Sequence, residues 1–74
     1  MLTIPQLEAL IICHVKNTID ADGNSPTLPA VCVMFASMNP DTFCTNEVFS
    51  VCLDLERNGH ISFLMVADGT ITVY

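Results

Sequence analysis

The segment LDLERNGHISFLMVADGTITVY, residues 53–74, decides the fold of this chain. Its first part has the mixed polar and apolar spacing of a helix end, and Asn58 with Gly59 is a typical left-handed helix stop. Two β-rich runs, ISFLMV and ITVY, then flank residues 67–70, where the Asp-Gly pair favours a two-residue type I′ turn. The segment therefore predicts a helix that ends at Gly59, followed by a β-hairpin over residues 61–74.

The N-terminal part of the chain predicts a first helix over residues 4–18. Thr3 and Gln6 have the spacing of a capping box, and the apolar residues that follow recur every three to four positions. The turn formers DADGNSP, residues 20–26, are expected to end this helix in a surface loop. Their aspartates start like a calcium loop, but the glycine stands at the fourth place and not the sixth, and Val31 occupies the place of the final glutamate, so a polar turn is favoured.

Two more helices are predicted in the middle of the chain. Thr27 is the expected cap of a short and almost entirely apolar helix that runs to Met38 and is broken at Asn39-Pro40. Thr45 is the expected cap of the third helix, whose inward stripe contains Val48, Val51, Cys52 and Leu55. The predicted fold class is α+β, with three helices followed by a C-terminal β-hairpin in a single domain over residues 1–74.

The charge of the chain is strongly acidic. Lys16 and Arg57 stand against eight carboxylates, and the formal net charge is −6. Non-specific DNA binding depends on lysine and arginine that neutralise phosphates, so direct binding to nucleic acid is not expected. The sequence contains no apolar run of membrane-spanning length and no export signal, so we expect a cytoplasmic protein with no membrane partner.

The apolar content predicts an interaction surface. Hydrophobic residues make up 51% of the chain, and a domain of 74 residues has a small core relative to its surface. A patch of apolar side chains that the core cannot accommodate usually marks an interface. We therefore expect a homo-oligomer or a complex with another protein.

Neither a metal site nor a catalytic site is predicted. The four cysteines would suit a disulfide framework in a secreted protein, but without an export signal reduced thiols are the better interpretation. Their spacing contains no Cys-x-x-Cys pair for zinc, and neither Cys44 nor Cys52 lies in a motif that would pair it with His60 for catalysis. No cofactor is expected, and we do not expect an enzyme.

The order of these elements resembles the winged helix-turn-helix family over most of the chain. The resemblance lies in three helices followed by a hairpin, and in the junction LERNGHI at residues 55–61. In that family the third helix enters the major groove and the hairpin rests on the DNA backbone. Carried onto this chain, those two elements present Glu47, Asp54 and Asp68, which repel phosphate.

The sequence therefore favours a small acidic protein-interaction module that binds and antagonises a DNA-binding protein, such as a repressor. Small phage or mobile-element regulators such as antirepressors resemble this description. A winged-helix transcription regulator that binds DNA as a dimer or in a complex is the alternative, and a structural interaction subunit is a second one. The methionines and phenylalanines fit either core or interface, and Phe49 and Phe63 fit an interface best. The expected partner-binding residues are Phe35, Met38, Glu47, Phe49, Asp54, Glu56, Phe63, Met65 and Asp68.

Overall fold

The computed structural model describes residues 2–74 and has the predicted α+β layout. Three helices are followed by a two-stranded antiparallel hairpin. The elements are α1 (Ile4–Asp22), α2 (Leu28–Met38), α3 (Thr45–Arg57), β1 (Phe63–Met65) and β2 (Ile71–Val73).

Helix α1 begins as predicted and ends four residues later than predicted. The Thr3 hydroxyl accepts the Gln6 N–H at 3.3 Å, and the Gln6 side chain accepts the Thr3 N–H at 2.9 Å, which completes the capping box. The helix continues to Asp22 because Gly23 is the first residue that stops it. Gly23 adopts a left-handed φ of 72°, and its N–H donates to the Ile19 carbonyl at 2.8 Å.

The caps of α2 and α3 include one correction. The Thr27 hydroxyl accepts the Ala30 N–H at 3.4 Å, as expected for the cap of α2. The cap of α3 is Cys44 and not Thr45, because the Glu47 carboxylate reaches back three residues to accept the Cys44 N–H at 3.2 Å. Thr45 is the first residue inside the helix.

The junction after α3 has the predicted left-handed glycine. Gly59 adopts a φ of 81°, and the next N–H, that of His60, donates to the Leu55 carbonyl at 2.9 Å. This arrangement closes the last turn of α3. Ile61 follows at once and is buried, so the chain enters the hairpin from the core.

The hairpin pairs as predicted, but its turn is of a different type. Phe63 lies opposite Val73, and Met65 lies opposite Ile71. The tip is not a type I′ turn, because that turn requires a positive φ at both central residues and Asp68 has none. Instead the Gly69 N–H donates to the Val66 carbonyl at 2.9 Å, and Gly69 alone is left-handed, with a φ of 87°. The turn is therefore one residue longer than the two-residue turn predicted.

The hairpin is attached to the segment that precedes α2. Thr27 and Thr72 form an isolated antiparallel bridge, and the Val73 N–H donates to the Pro26 carbonyl at 2.8 Å. Val73 is completely buried as a result. The hairpin thus packs against α2 and is part of the same core as the helices.

The core is apolar throughout the described residues. No polar or charged side chain among residues 2–74 is classed as buried. Helices α1 and α2 both pack against α3, and β2 packs against α2. The buried side chains are Leu7, Ile11, Val15, Leu28, Val31, Cys32, Phe35, Phe43, Val48, Val51, Cys52, Leu55, Ile61 and Val73.

Candidate functional site

An open groove lies between the first turns of α2 and α3 and the tip of the hairpin. Its volume is about 520 Å³. This is within the range of roughly 300–1,000 Å³ that small-molecule sites occupy, and it also suits a few side chains of a partner protein. The groove is lined by Leu28, Pro29, Cys32, Thr45, Asn46, Phe49, Asp68, Gly69, Thr70 and Ile71.

The groove has an apolar wall and a polar rim. Phe49 is the large apolar side chain on the wall, and 40% of it remains exposed. It comes from α3, whereas the half-buried Ile71 comes from β2. Asn46 and Asp68 bring polar groups to the edges. An apolar anchor with polar groups around it is the usual composition of a protein-binding hot spot.

Asp68 is held in a defined position at the hairpin tip. Its carboxylate accepts the Thr70 N–H at 2.9 Å. The same backbone hydrogen bond, followed by one from the Thr70 side chain, lowers the pKa of Asp68 below its ordinary value. Asp68 is exposed to solvent, so it offers a fixed negative charge at the rim of the groove.

Helix α3 carries its acidic residues on two sides. Glu56 is seven residues from Phe49 and therefore lies on the same side of the helix, roughly 10 Å further along. Glu47 and Asp54 lie one above the other, roughly 140–160° around the helix from Phe49. All three carboxylates are exposed. Asp68 is therefore the carboxylate that lines the groove, Glu56 lies further along the same side of α3, and the other two carboxylates lie on a different side of the helix.

One basic side chain is present on α3 and the hairpin together. Arg57 lies 3.9 Å from Asp54, one turn earlier on the same helix, and both side chains are largely exposed. An exposed pair at this distance contributes little to stability. Its electrostatic effect is that the positive charge of Arg57 is partly balanced by Asp54. The surface formed by these elements is therefore acidic.

The expected partner-binding residues are spread over three elements and the hairpin tip. Phe49 and Asp68 both line the groove, while Met38 is 63% exposed at the end of α2 and Met65 is 67% exposed on the hairpin. Phe63 is half-buried and packs against the core.

Phe35 requires a correction. Only 3% of its side chain is exposed, and its ring packs edge-on against His14 with 5.7 Å between the ring centroids. Phe35 belongs to the core because the face of α2 that carries it is directed toward α1 and α3. Phe35 therefore contributes no surface to the folded monomer.

The groove also contains residues that the sequence reading did not single out. Leu28, Pro29 and Asn46 each lie in the first turn of a helix, and Ile71 begins β2. The available signal was the position of Pro29 and Asn46, each two residues after a helix cap and therefore in a first turn. Tertiary packing, and not local sequence, brings the first turns of α2 and α3 to the hairpin tip.

Two of the four cysteines are buried and two are exposed. Cys32 on α2 and Cys52 on α3 both belong to the core. Burial is the main cause that raises the pKa of Cys52 to about 12, so this thiol stays protonated and is a poor nucleophile. Cys13 and Cys44 are exposed. Residues 2–74 contain no group of three or more side chains suited to holding a metal ion.

None of the helices over residues 2–74 is both long enough and apolar enough to cross a membrane. No protein-family model matches this chain, and comparisons with characterised proteins and with solved structures also find no match.

Proposed function

We propose that this chain is an acidic protein-interaction module whose groove binds an apolar side chain of a partner with a basic surface. The observation that carries this proposal is the position of Phe49, which is partly exposed in a groove that is also lined by the fixed carboxylate of Asp68. An apolar anchor in the groove excludes water, and the carboxylates at its edge select basic neighbours.

The charge distribution supports a basic partner. The chain has a formal net charge of −6, and its α3 and hairpin surface has a single arginine that is paired with Asp54. Complementary charge mainly accelerates association and excludes acidic competitors. Apolar contacts in the groove then determine how long the complex lasts, because affinity within one interface is tuned mostly by the dissociation rate.

The partner class that fits this chemistry is a DNA-binding protein. Such proteins have a basic surface that meets phosphate, and carboxylates on a rigid scaffold can occupy the same surface. The chain would then act as an antagonist, as an antirepressor does. The bridge between Thr27 and Thr72 supports the winged-helix resemblance, because it attaches the hairpin to the start of α2 and so to the helical core. An acidic domain of this shape is suited to compete with DNA for a basic surface.

The proposal can be tested without knowing the partner. A library of random peptides displayed on phage is selected against the immobilised protein at low salt. Selected peptides are expected to contain an aromatic or aliphatic residue flanked by lysine or arginine. Phe49→Ala should abolish their binding, and Asp68→Asn should weaken it and reduce its salt dependence. Val33→Ala is the matched control, because Val33 is exposed on α2 and does not line the groove.

Two results would overturn the proposal. One is a selection that enriches acidic or uncharged peptides, and the other is enrichment of basic peptides that bind Phe49→Ala as tightly as the wild-type protein. In a purified complex, Asp68→Lys with Glu56→Lys should slow association, whereas Phe49→Ala should speed dissociation. Phe63→Ala is less suitable for this test, because Phe63 packs against the core.

A second candidate function is DNA binding by a dimer or a larger complex. The hairpin tip and the first turn of α3 line the same groove, and this arrangement favours it. The acidic surface opposes it, since each exposed carboxylate repels phosphate. Exchanging acidic for basic residues on α3 and the hairpin tip separates the effect of shape from that of charge.

A further inference from the structure

Strand β1 has an open edge. The Ser62 N–H donates to the Tyr74 carbonyl at 3.1 Å and the Tyr74 N–H donates back at 2.9 Å, so these two residues form a hydrogen-bonded pair. Such pairs alternate along an antiparallel ladder, which means that the backbone groups of Phe63 and Met65 point away from β2. The outer edge of β2 is not open at Val73, because the Val73 N–H donates to the Pro26 carbonyl.

Apart from the short length of β1, this edge lacks the features that normally prevent strands from pairing. Natural proteins protect edge strands with charged residues, proline or bulges. Residues 61–66 read ISFLMV and contain no charge and no proline. Leu64 is 51% exposed and Met65 is 67% exposed, and β1 packs mainly against β2. An exposed apolar strand with free N–H and carbonyl groups is a template for another strand.

We propose that a second copy of this chain pairs antiparallel with β1 about a two-fold axis at Leu64. In this register Phe63 lies opposite Met65 of the second copy, and each such pair exchanges two backbone hydrogen bonds. The axis generates the pair twice, so four backbone hydrogen bonds join the copies. Two hairpins then form one four-stranded sheet, and the interface is isologous, as two-fold symmetry requires.

Charge is the reason that a second copy fits this edge. A chain with a net charge of −6 repels its own copies over most orientations. The antiparallel register brings together residues 61–66 of each copy, which are uncharged. It also places the two hairpin tips, each with its Asp68, at opposite ends of the sheet. The acidic residues of the two copies are therefore kept apart where the backbones approach.

The outer face of the hairpin adds apolar contact. Leu64, Val66 and Tyr74 alternate with the core-facing residues of the hairpin, and all three are at least 38% exposed. Leu64 lies opposite Leu64 of the second copy in a pair without hydrogen bonds, where side chains are closest. The dimer therefore covers apolar surface that the monomer leaves in water. It leaves the groove beside Phe49 accessible, so it is independent of the function proposed above.

The first test is sedimentation of the wild-type protein over a concentration series. A species of twice the 8.1 kDa chain mass is expected. Hydrogen exchange followed residue by residue locates the interface. The Leu64 N–H should be protected at all concentrations, whereas the Phe63 and Met65 N–H groups should change from unprotected to protected as the dimer forms.

Variants separate this interface from others. Leu64→Lys places two ammonium groups at the two-fold axis, and Met65→Pro removes an outward N–H that the monomer does not use; both should leave the protein folded and monomeric. Val33→Lys is the matched control, since Val33 is 56% exposed on α2, and it should remain dimeric. Phe49→Ala should also remain dimeric. A wild-type monomer at the highest concentration, or a dimer that persists in both β1 variants, would overturn the proposal.

Discussion

Thr27 and Thr72 pair across an antiparallel bridge, and Thr27 also caps α2 through its hydroxyl. One residue therefore fixes both the start of a helix and the position of the hairpin. The backbone of Thr27 joins β2, while its side chain satisfies the Ala30 N–H. This double role holds the tip of the hairpin beside the first turn of α2, where the groove forms.

The two roles of Thr27 can be separated by substitution. Thr27→Ala removes the cap but keeps the backbone bridge, and it should lower the free energy of unfolding by about 1 kcal/mol. Thr27→Ser retains the hydroxyl and should be close to the wild-type protein. Urea denaturation followed by circular dichroism measures both. Equal stability of the alanine and wild-type proteins would show that the hydroxyl does not contribute as a cap.

The left-handed conformation of Gly59 predicts that any other residue at this position lowers the stability of the protein. No atom outside its chain neighbours lies within 4 Å of the position of a Cβ there, so steric clashes play no part. Gly59→Ala should reduce the free energy of unfolding by about 1–2 kcal/mol because its φ is 81°. Gly59→Asn should lose less, since asparagine tolerates this region better. Thermal unfolding of the two variants ranks them, and an alanine variant as stable as the asparagine variant would contradict the argument.

The raised pKa of Cys52 predicts a loss of stability at alkaline pH. Burial raises its pKa from 9.0 to about 12, so the folded protein keeps the thiol while the unfolded chain ionises near pH 9. The stabilisation is fully present below pH 9 and is lost as the pH rises toward 12. Urea midpoints in reducing buffer from pH 7 to 10.5 should therefore fall.

Cys52→Ala also leaves a cavity, which lowers its stability at every pH. The quantity to compare is therefore the change of the urea midpoint with pH, and not the midpoint itself. The stability of Cys52→Ala should fall less steeply above pH 9 than that of the wild-type protein. Cys44→Ala removes an exposed thiol and should retain the wild-type slope. Identical slopes in all three proteins would rule out Cys52 as the origin of the alkaline loss.

Charge, and not shape, is expected to prevent DNA binding. The wild-type protein should show no appreciable binding to duplex DNA at physiological salt, measured by fluorescence anisotropy. Replacing Glu47, Asp54 and Asp68 together by lysine makes the chain formally neutral and places the new charges on α3 and the hairpin tip. If the winged-helix resemblance extends to geometry, this triple variant should bind DNA weakly, with a strong dependence on salt.

The matched control changes the same number of charges on α1. Replacing Glu8, Asp20 and Asp22 by lysine also gives a formally neutral chain, but on a helix that is not expected to face DNA. It should bind more weakly than the α3 and hairpin variant. Equal DNA binding by the two triple variants would contradict a winged-helix mode of DNA binding. Sub-micromolar DNA binding by the wild-type protein would contradict the expectation that its negative charge prevents binding.

Local signals in the sequence were sufficient for most of the secondary structure. Thr3 with Gln6, Thr27 and Gly59 all act where their patterns predicted, because capping and left-handed glycine depend on atoms within a few residues. The end of α1 was misplaced, because Asp20 and Asp22 are weak helix breakers and the half-buried Ile19 keeps the helix in contact with the core. The type of the hairpin turn was also wrong, because Asp-Gly is compatible with more than one loop length.

The sequence alone therefore determined the three helices, the hairpin and the acidic charge, since each follows from neighbouring residues or from composition. Tertiary structure decided which apolar residues are surface and which are core. Phe35 and Phe49 have similar chemistry, yet one is buried against His14 and the other lines an open groove. The difference arises because the two helices present different sides to each other, and the Thr27–Thr72 bridge places the hairpin tip beside only one of these rings. Contacts between residues distant in the chain carry no local pattern, so only packing could bring Phe49 and Asp68 to the same groove.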